Sequence, residues 1–313
     1  MKGQLINNKL IWIFVFVVLL IGAQAYMIPD FRSDVMVLLR KMRLSYLGLA
    51  FLLTLFHFFM EPARWYFYLE NLSRPDRTPY KKLLCIFSVT ALVTYIFPAK
   101  LGLPVRLYLL TSQIKIKLLN VTTIMALDGL LNYSLWGVPA LIFLPIYGIV
   151  FPQYFLLFLL IIPILCLLVY LLRHRLRDLF KTLHGNLRLL TLKATFVATL
   201  FLLFDITGYI CRHALILAAL NAQVPLFQLA IITMISIFAG FMSMIPMGMG
   251  AYDGTIILLL TQSGVPYETA LLVPLVNRTG NILASIVVGS PSSYALGVSF
   301  WTLRKRFRSG TDG

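Results

Sequence analysis

Apolar residues along this chain come in runs of about twenty, the length a helix needs to cross a bilayer, rather than in the alternation of a half-buried strand. One run starts at Leu10, and others cover about 44–63, 119–141, 153–172 and 194–220, with a last long segment from 268 to about 303. They predict an all-α, polytopic integral membrane protein with six spans. Two more apolar stretches, 83–113 and 226–263, are each interrupted by a Pro-x-x-x-Gly frame: Pro98 to Gly102, and Pro246 to Gly250 with Gly248 between. A broken helix frees backbone amides and carbonyls that hydrocarbon cannot satisfy, so it survives only inside protein or along a cavity. Each stretch therefore predicts a re-entrant hairpin of two short halves, and the breaks mark the expected working site.

The polar segments orient these elements. Lys2 and Lys9 precede the first apolar run, and Ala23-Gln24-Ala25 resembles a cleavage site; the apolar character continuing through Tyr26, Met27 and Ile28 favours an uncleaved anchor. Residues 30–43 read as an interfacial helix and 64–82 as a basic loop. Leu172, Leu176, Leu179, Leu183, Leu187 and Leu190 recur at helical spacing along 173–193, which predicts a basic amphipathic helix on the cytosolic surface. With the N-terminus inside, the inner segments hold nineteen Lys and Arg and the outer ones four, as positive-inside bias requires. Both termini are then cytosolic, in an inner (cytoplasmic) membrane. Three spans separate the two hairpins, so they enter from opposite faces and their tips meet near the midplane, the arrangement of an inverted repeat. Residues 1–313 form one transmembrane domain.

Composition supports this assignment. The chain is 60% hydrophobic and 12% charged with a mean hydropathy of +0.88, which excludes an ordinary soluble domain. Its net charge of +16 sits between apolar runs, where it meets anionic lipid headgroups rather than nucleic acid. Cys85, Cys166 and Cys211 stand singly, with neither disulfide nor zinc spacing. His57 and His213 fall in apolar helices and His174 and His184 in the basic segment, so no metal or other cofactor is expected.

Charges inside the spans are the candidate chemistry, because each costs about 2.5–3.5 kcal/mol at a helix centre unless paired or hydrated. Lys100, Arg106 and Arg278 lie in or beside the breaks and the last span; they either hold a phosphate with help from freed helix amides or pair structurally. Asp253 is placed to receive Arg106 or Arg278, or to hold an ammonium or a proton. Asp205 and Arg212, seven residues apart on one helix face, suggest a bridge through a neighbouring helix. Glu61 and Arg64 have the spacing of a local ion pair. Asn277, Asn281 and Ser285 line one face of the last span, for packing or headgroup contact, with Asn277 taken as a site candidate. Trp65, Tyr66, Tyr68 and Trp301 read as interfacial anchors.

The run Phe97-Pro-Ala-Lys-Leu-Gly-Leu-Pro-Val-Arg-Leu-Tyr-Leu-Leu110 resembles a signature of the lysylphosphatidylglycerol synthase transmembrane family. Ile245-Pro-Met-Gly-Met-Gly-Ala-Tyr-Asp-Gly254 resembles its second signature, and Gly264-Val265-Pro266 with Leu275-Val276-Asn277-Arg278 its last helix. The resemblance implies a lipid flippase domain; the soluble domain that aminoacylates lipid in that family is not expected after Trp301. Family members usually carry a glutamate where this chain has Leu103, and an Arg beside an acid where it has Asp128-Gly129. With those charges missing, the site reads as net positive and suited to an anionic or phosphate-bearing lipid. The expected function is movement of a phospholipid or isoprenoid-linked headgroup between leaflets, transport rather than catalysis. The alternatives are a membrane-embedded lipid-phosphate transferase and a noncatalytic partner of a lipid-modifying enzyme. A homo-oligomer or a lipid-synthesising enzyme is the expected protein partner.

Overall fold

The computed structural model describes residues 41–73, 80–96, 102–148, 192–243, 248 and 250–298, and every regular element among them is an α-helix. The first span, the interfacial helix, the span at 153–172, the basic segment up to 191 and the C-terminal tail lie outside the described residues, as do Pro98, Lys100 and Pro246. Eight helices follow in order: α1 (Leu44–Ser73), α2 (Tyr80–Ile96), α3 (Gly102–Gln113), α4 (Leu118–Gly148), α5 (Leu192–Ala219), α6 (Leu226–Met242), α7 (Ala251–Gln262) and α8 (Tyr267–Ala295).

Four of them, α1, α4, α5 and α8, are long and apolar enough to cross a membrane. Large apolar side chains cover their outer surfaces: Leu49, Leu52, Phe56 and Phe59 recur on α1, and Phe196 and Phe204 of α5 are 63% and 65% exposed. An apolar exterior of this extent suits lipid rather than water. The chain is therefore a multi-pass membrane protein. The other four helices are shorter. At 1.5 Å per residue, α2 and α6 reach about 25 Å and α3 and α7 about 18 Å, less than the ~30 Å hydrocarbon core.

Lengths repeat along the chain. The series α1 to α4 runs 30, 17, 12 and 31 residues, and α5 to α8 runs 28, 17, 12 and 29. Packing repeats as well. The two leading helices, α1 and α5, pack along each other, while the last helix of each half crosses to the other half's short pair, α4 against α6 and α8 against α2. Trp136 and Ala140 of α4 consequently join the core built mainly from α5 to α8, and Ala198 of α5 joins that of α1 to α3.

Two boundaries differ from the sequence expectation. The loop over 64–82 is helical through Ser73 and again from Tyr80, because Trp65, Tyr68 and Leu69 are 1%, 0% and 0% exposed and carry α1 onward as a buried helix. Trp65 and Tyr68 are thus core residues, not interfacial anchors, and Arg64 belongs to the bundle interior rather than to a cytosolic loop. The last helix stops at Ala295 rather than near 303. Val298 N–H returns to Ser293 O and Gly297 N–H to Tyr294 O, both at 3.0 Å, the paired bonds of a Schellman stop.

Candidate functional site

The helix ends that flank the two breaks line one cavity of about 420 Å³. Thr94, Tyr95, Gly102 and Leu103 line it from the first break, and Gly240, Phe241, Gly248 and Tyr252 from the second. These residues occupy matching positions. Thr94 and Tyr95 are the fifteenth and sixteenth residues of α2, as Gly240 and Phe241 are of α6, and Leu103 and Tyr252 are each second in α3 and α7. Asn132 and Asn281, each fifteenth in α4 and α8, complete the correspondence from the long helices. Both halves thus contribute the same stretch of backbone to one chamber.

Glycine allows the close approach at each break. A Cβ on Gly102 would fall far inside the van der Waals radius of Thr94 Oγ1, so α3 begins directly against α2. Gly248 has φ +63°, and a Cβ there would stand 2.9 Å from the Gly240 Cα. Larger residues would fill the chamber's two ends.

Charge is paired around this space. Arg278 Nε and Nη2 donate to Asp253 Oδ1 and Oδ2 at 3.0 and 2.7 Å, a two-point clamp from α8 onto the first turn of α7. Asp253 Oδ2 also accepts the Gly250 N–H at 3.1 Å and so caps the helix leaving the second break. Of the partners open to Asp253, the structure therefore selects Arg278. Arg106 instead donates Nη1 to Glu61 Oε1 at 2.7 Å and lies over the Phe87 ring at 4.3 Å. Arg64 donates Nε and Nη2 to the Asp128 carboxylate at 2.5 and 3.1 Å, with Trp65 Nε1 adding a bond at 3.3 Å. Glu61 and Arg64 therefore do not pair with each other. Each reaches a different helix, because Arg64 points to the buried acid on α4 and Arg106 brings a second guanidinium to Glu61.

Asp205 and Arg212 bridge through α1. His57 Nδ1 donates to Asp205 Oδ1 at 2.5 Å, and Arg212 Nη1 donates to Thr54 Oγ1 at 3.3 Å and to Asn281 Oδ1 at 2.9 Å. Arg212 also lies over the Tyr209 ring at 4.1 Å. His57 and Asp205 are each fourteenth in α1 and α5, and Arg64 and Arg212 each twenty-first. A polar mesh closes the inner wall: Tyr252 donates its hydroxyl to His213 Nε2 at 2.7 Å, His213 Nδ1 donates to Tyr209 O at 2.9 Å, and Asn277 Nδ2 donates to both phenolic oxygens at 3.4 Å. Asn277 is 3% exposed, and its Oδ1 has no hydrogen-bond partner among the described residues.

Of the residues singled out in the sequence, Asn277, Arg278, Gly102 and Gly248 line the cavity, Asp253 holds Arg278, and Gly250 caps α7. Arg106 is not among the lining residues and sits against Glu61; Lys100 lies outside the described residues. Sequence reasoning passed over Tyr209, Tyr252, Asn132 and the His57–Asp205 contact. Their signal was ordinal position within the helices, visible only once the helix starts are known. No group of three His, Cys, Asp or Glu able to hold a metal forms among the described residues, and Cys85 and Cys211 are free thiols.

Long apolar helices with lipid-suited outer surfaces, packed around an internal cavity, place the chain in the class of multi-pass helical membrane proteins. The family described as Lysylphosphatidylglycerol synthase TM region matches residues 10–289, and the chain belongs to it. Comparison with curated proteins and with solved structures finds no match.

Proposed function

We propose that this protein moves the headgroup of a phosphate-bearing lipid, a phospholipid or an isoprenoid-linked lipid, between the leaflets of the cytoplasmic membrane. Family membership supports a lipid-related role in the membrane. The observation that carries the transport reading is the shared chamber: a cavity of about 420 Å³ lined by matching positions of two similar halves. That volume suits a headgroup, while the acyl chains stay in the bilayer.

In this reading α2–α3 and α6–α7 are re-entrant hairpins entering from opposite faces, and the two halves form an inverted repeat with both termini cytosolic. Arg278, with Asn277 and Asn281 beside it, donates to the phosphate from the chamber wall, and Asp253 holds the guanidinium in place. Arg106 supports the first hairpin through Glu61 and approaches the headgroup with Lys100 when that hairpin shifts. Rocking of one half against the other along the α1–α5 seam exposes the chamber to each face in turn.

Reconstitution into vesicles carrying fluorescent phosphatidylglycerol tests the proposal. Wild type should equilibrate the probe between leaflets, and the double variant Arg278→Ala/Asp253→Ala, which leaves no orphaned charge, should slow it tenfold or more. Unchanged exchange in that variant would remove the proposed site.

A further inference from the structure

Four acids sit among the described membrane helices near the chamber, and three of them are held by arginine: Glu61 by Arg106, Asp128 by Arg64 and Asp253 by Arg278. Arginine stays protonated throughout the physiological range, so none of those partners can exchange a proton. Asp205 differs. Its partner is His57, the one side chain type whose ordinary titration falls near neutral pH. Both members line the chamber, with the imidazole 32% and the carboxylate 12% exposed, so water in the chamber reaches the pair.

Their position is as informative as their chemistry. Being fourteenth in α1 and in α5, they join the two halves at equivalent points of the seam that the halves share. A second charge stands beside them. Arg212 lines a small space with His57 and Asp205, is 2% exposed, and leaves Nε and Nη2 without hydrogen-bond partners among the described residues.

We propose that the His57–Asp205 pair is a proton-binding site in the chamber wall, and that its loading and release are linked to headgroup passage. The linkage rests on the transport reading above; the proton site does not. Loaded, the pair is an imidazolium against a carboxylate. On release the N–H proton passes from the imidazolium to water in the chamber, no other bond breaks, and the pair is left with one net negative charge. Arg212 then supplies the counter-charge that Asp205 faces, which shifts attraction from between the halves to within α5.

The other imidazole near the chamber, His213 of α5, is fully buried and engaged at both ring nitrogens by Tyr209 O and the Tyr252 hydroxyl. On its own helix His57 has Glu61 and Arg64 on the following turns, both engaged elsewhere. From α5 come Tyr209 and Arg212. From α2, α4 and α7 the chamber presents the phenols Tyr95, Tyr133 and Tyr252, and from α8 the Arg278 already clamped to Asp253.

Two arms test the proposal on the full chain. In the first, nitrogen NMR of histidine-labelled protein in micelles, with the four histidines assigned by single replacement, should show the His57 imidazole titrating between about pH 5 and 8. That signal should vanish in His57→Gln, and its midpoint should move by about one pH unit or more in Asp205→Asn. A His57 signal that stays fixed across that range overturns the proton site. In the second, vesicles with fluorescent phosphatidylglycerol receive a pH gradient. Wild type should develop a several-fold unequal leaflet distribution, which His57→Gln should lose relative to its own gradient-free exchange. An equal gradient response in the variant overturns the linkage. Absence of lipid movement under any condition would end the transport reading and the linkage together, and the first arm would still decide the proton site.

Discussion

The halves α1–α4 and α5–α8 share their helix lengths and crossing pattern, yet they fix their short helix pairs differently. In the second half the third residue of α7, Asp253, is clamped by the twelfth residue of α8, Arg278. The same positions in the first half are Pro104 and Gly129, which can form no such clamp. There the hairpin is secured by Arg106 reaching back to Glu61 on α1. The leading helices also diverge: Arg64 has a carboxylate on α4, whereas Arg212, at the matching position, has only a hydroxyl and an amide. In the transport reading, the second short pair, bound to its own long helix, is the fixed wall of the chamber, and the first, held through Glu61 on α1, is the part that shifts.

The comparison can be broken most forcefully at Arg64. Its pair with Asp128 is the most buried, at 3% and 10% side-chain exposure, so Arg64→Met should destabilise the protein by about 3–5 kcal/mol by stranding the carboxylate. Thermal unfolding in detergent measures this, and adding Asp128→Leu should recover much of the loss. A smaller effect is expected at the first break. Gly102→Val forces α3 away from Thr94 and should cost about 1–3 kcal/mol in the same assay. Asp253→Ala removes both a helix cap and the more exposed clamp, at 19% and 24%, for a loss of about 1–2 kcal/mol. Its larger consequence should appear in lipid exchange.

The subtlest change would make the halves alike. Pro104→Asp with Gly129→Arg copies the clamp of the second half into the first, and a Cβ on Gly129 meets nothing nearer than Tyr133 Cε2 at 3.9 Å. Stability should change by less than ~1 kcal/mol. Exchange of a fluorescent lipid should slow several-fold, because both hairpins would then be fixed; an unaltered rate would show that the unequal clamps are unrelated to movement.

Much of this was legible before any coordinates. Runs of apolar residues predicted the long helices, and the Pro-x-x-x-Gly frames fall in the gaps between α2 and α3 and between α6 and α7, because periodicity and helix-breaking chemistry are local properties. Pairing was not local. Glu61 and Arg64 have ideal spacing for each other, but tertiary neighbours offered each a better partner. The end of α1 differs for a related reason: 64–82 reads as a basic loop in sequence, and the burial of Trp65, Tyr68 and Leu69 carries the helix on through Ser73. The repeat was visible only at its breaks. Its strongest correspondences join unlike residues, His57 with Asp205 and Leu103 with Tyr252, which sequence identity cannot reveal.

The central claim is that the chamber between the two breaks receives a phosphate-bearing headgroup beside Arg278. Native mass spectrometry of the protein purified in mild detergent tests it most directly. Wild type should retain a phosphate-bearing lipid, and Arg278→Ala/Asp253→Ala should lose that adduct while keeping its fold. Retention of the same lipid by the double variant, or wild type carrying only lipids without phosphate, would contradict the account.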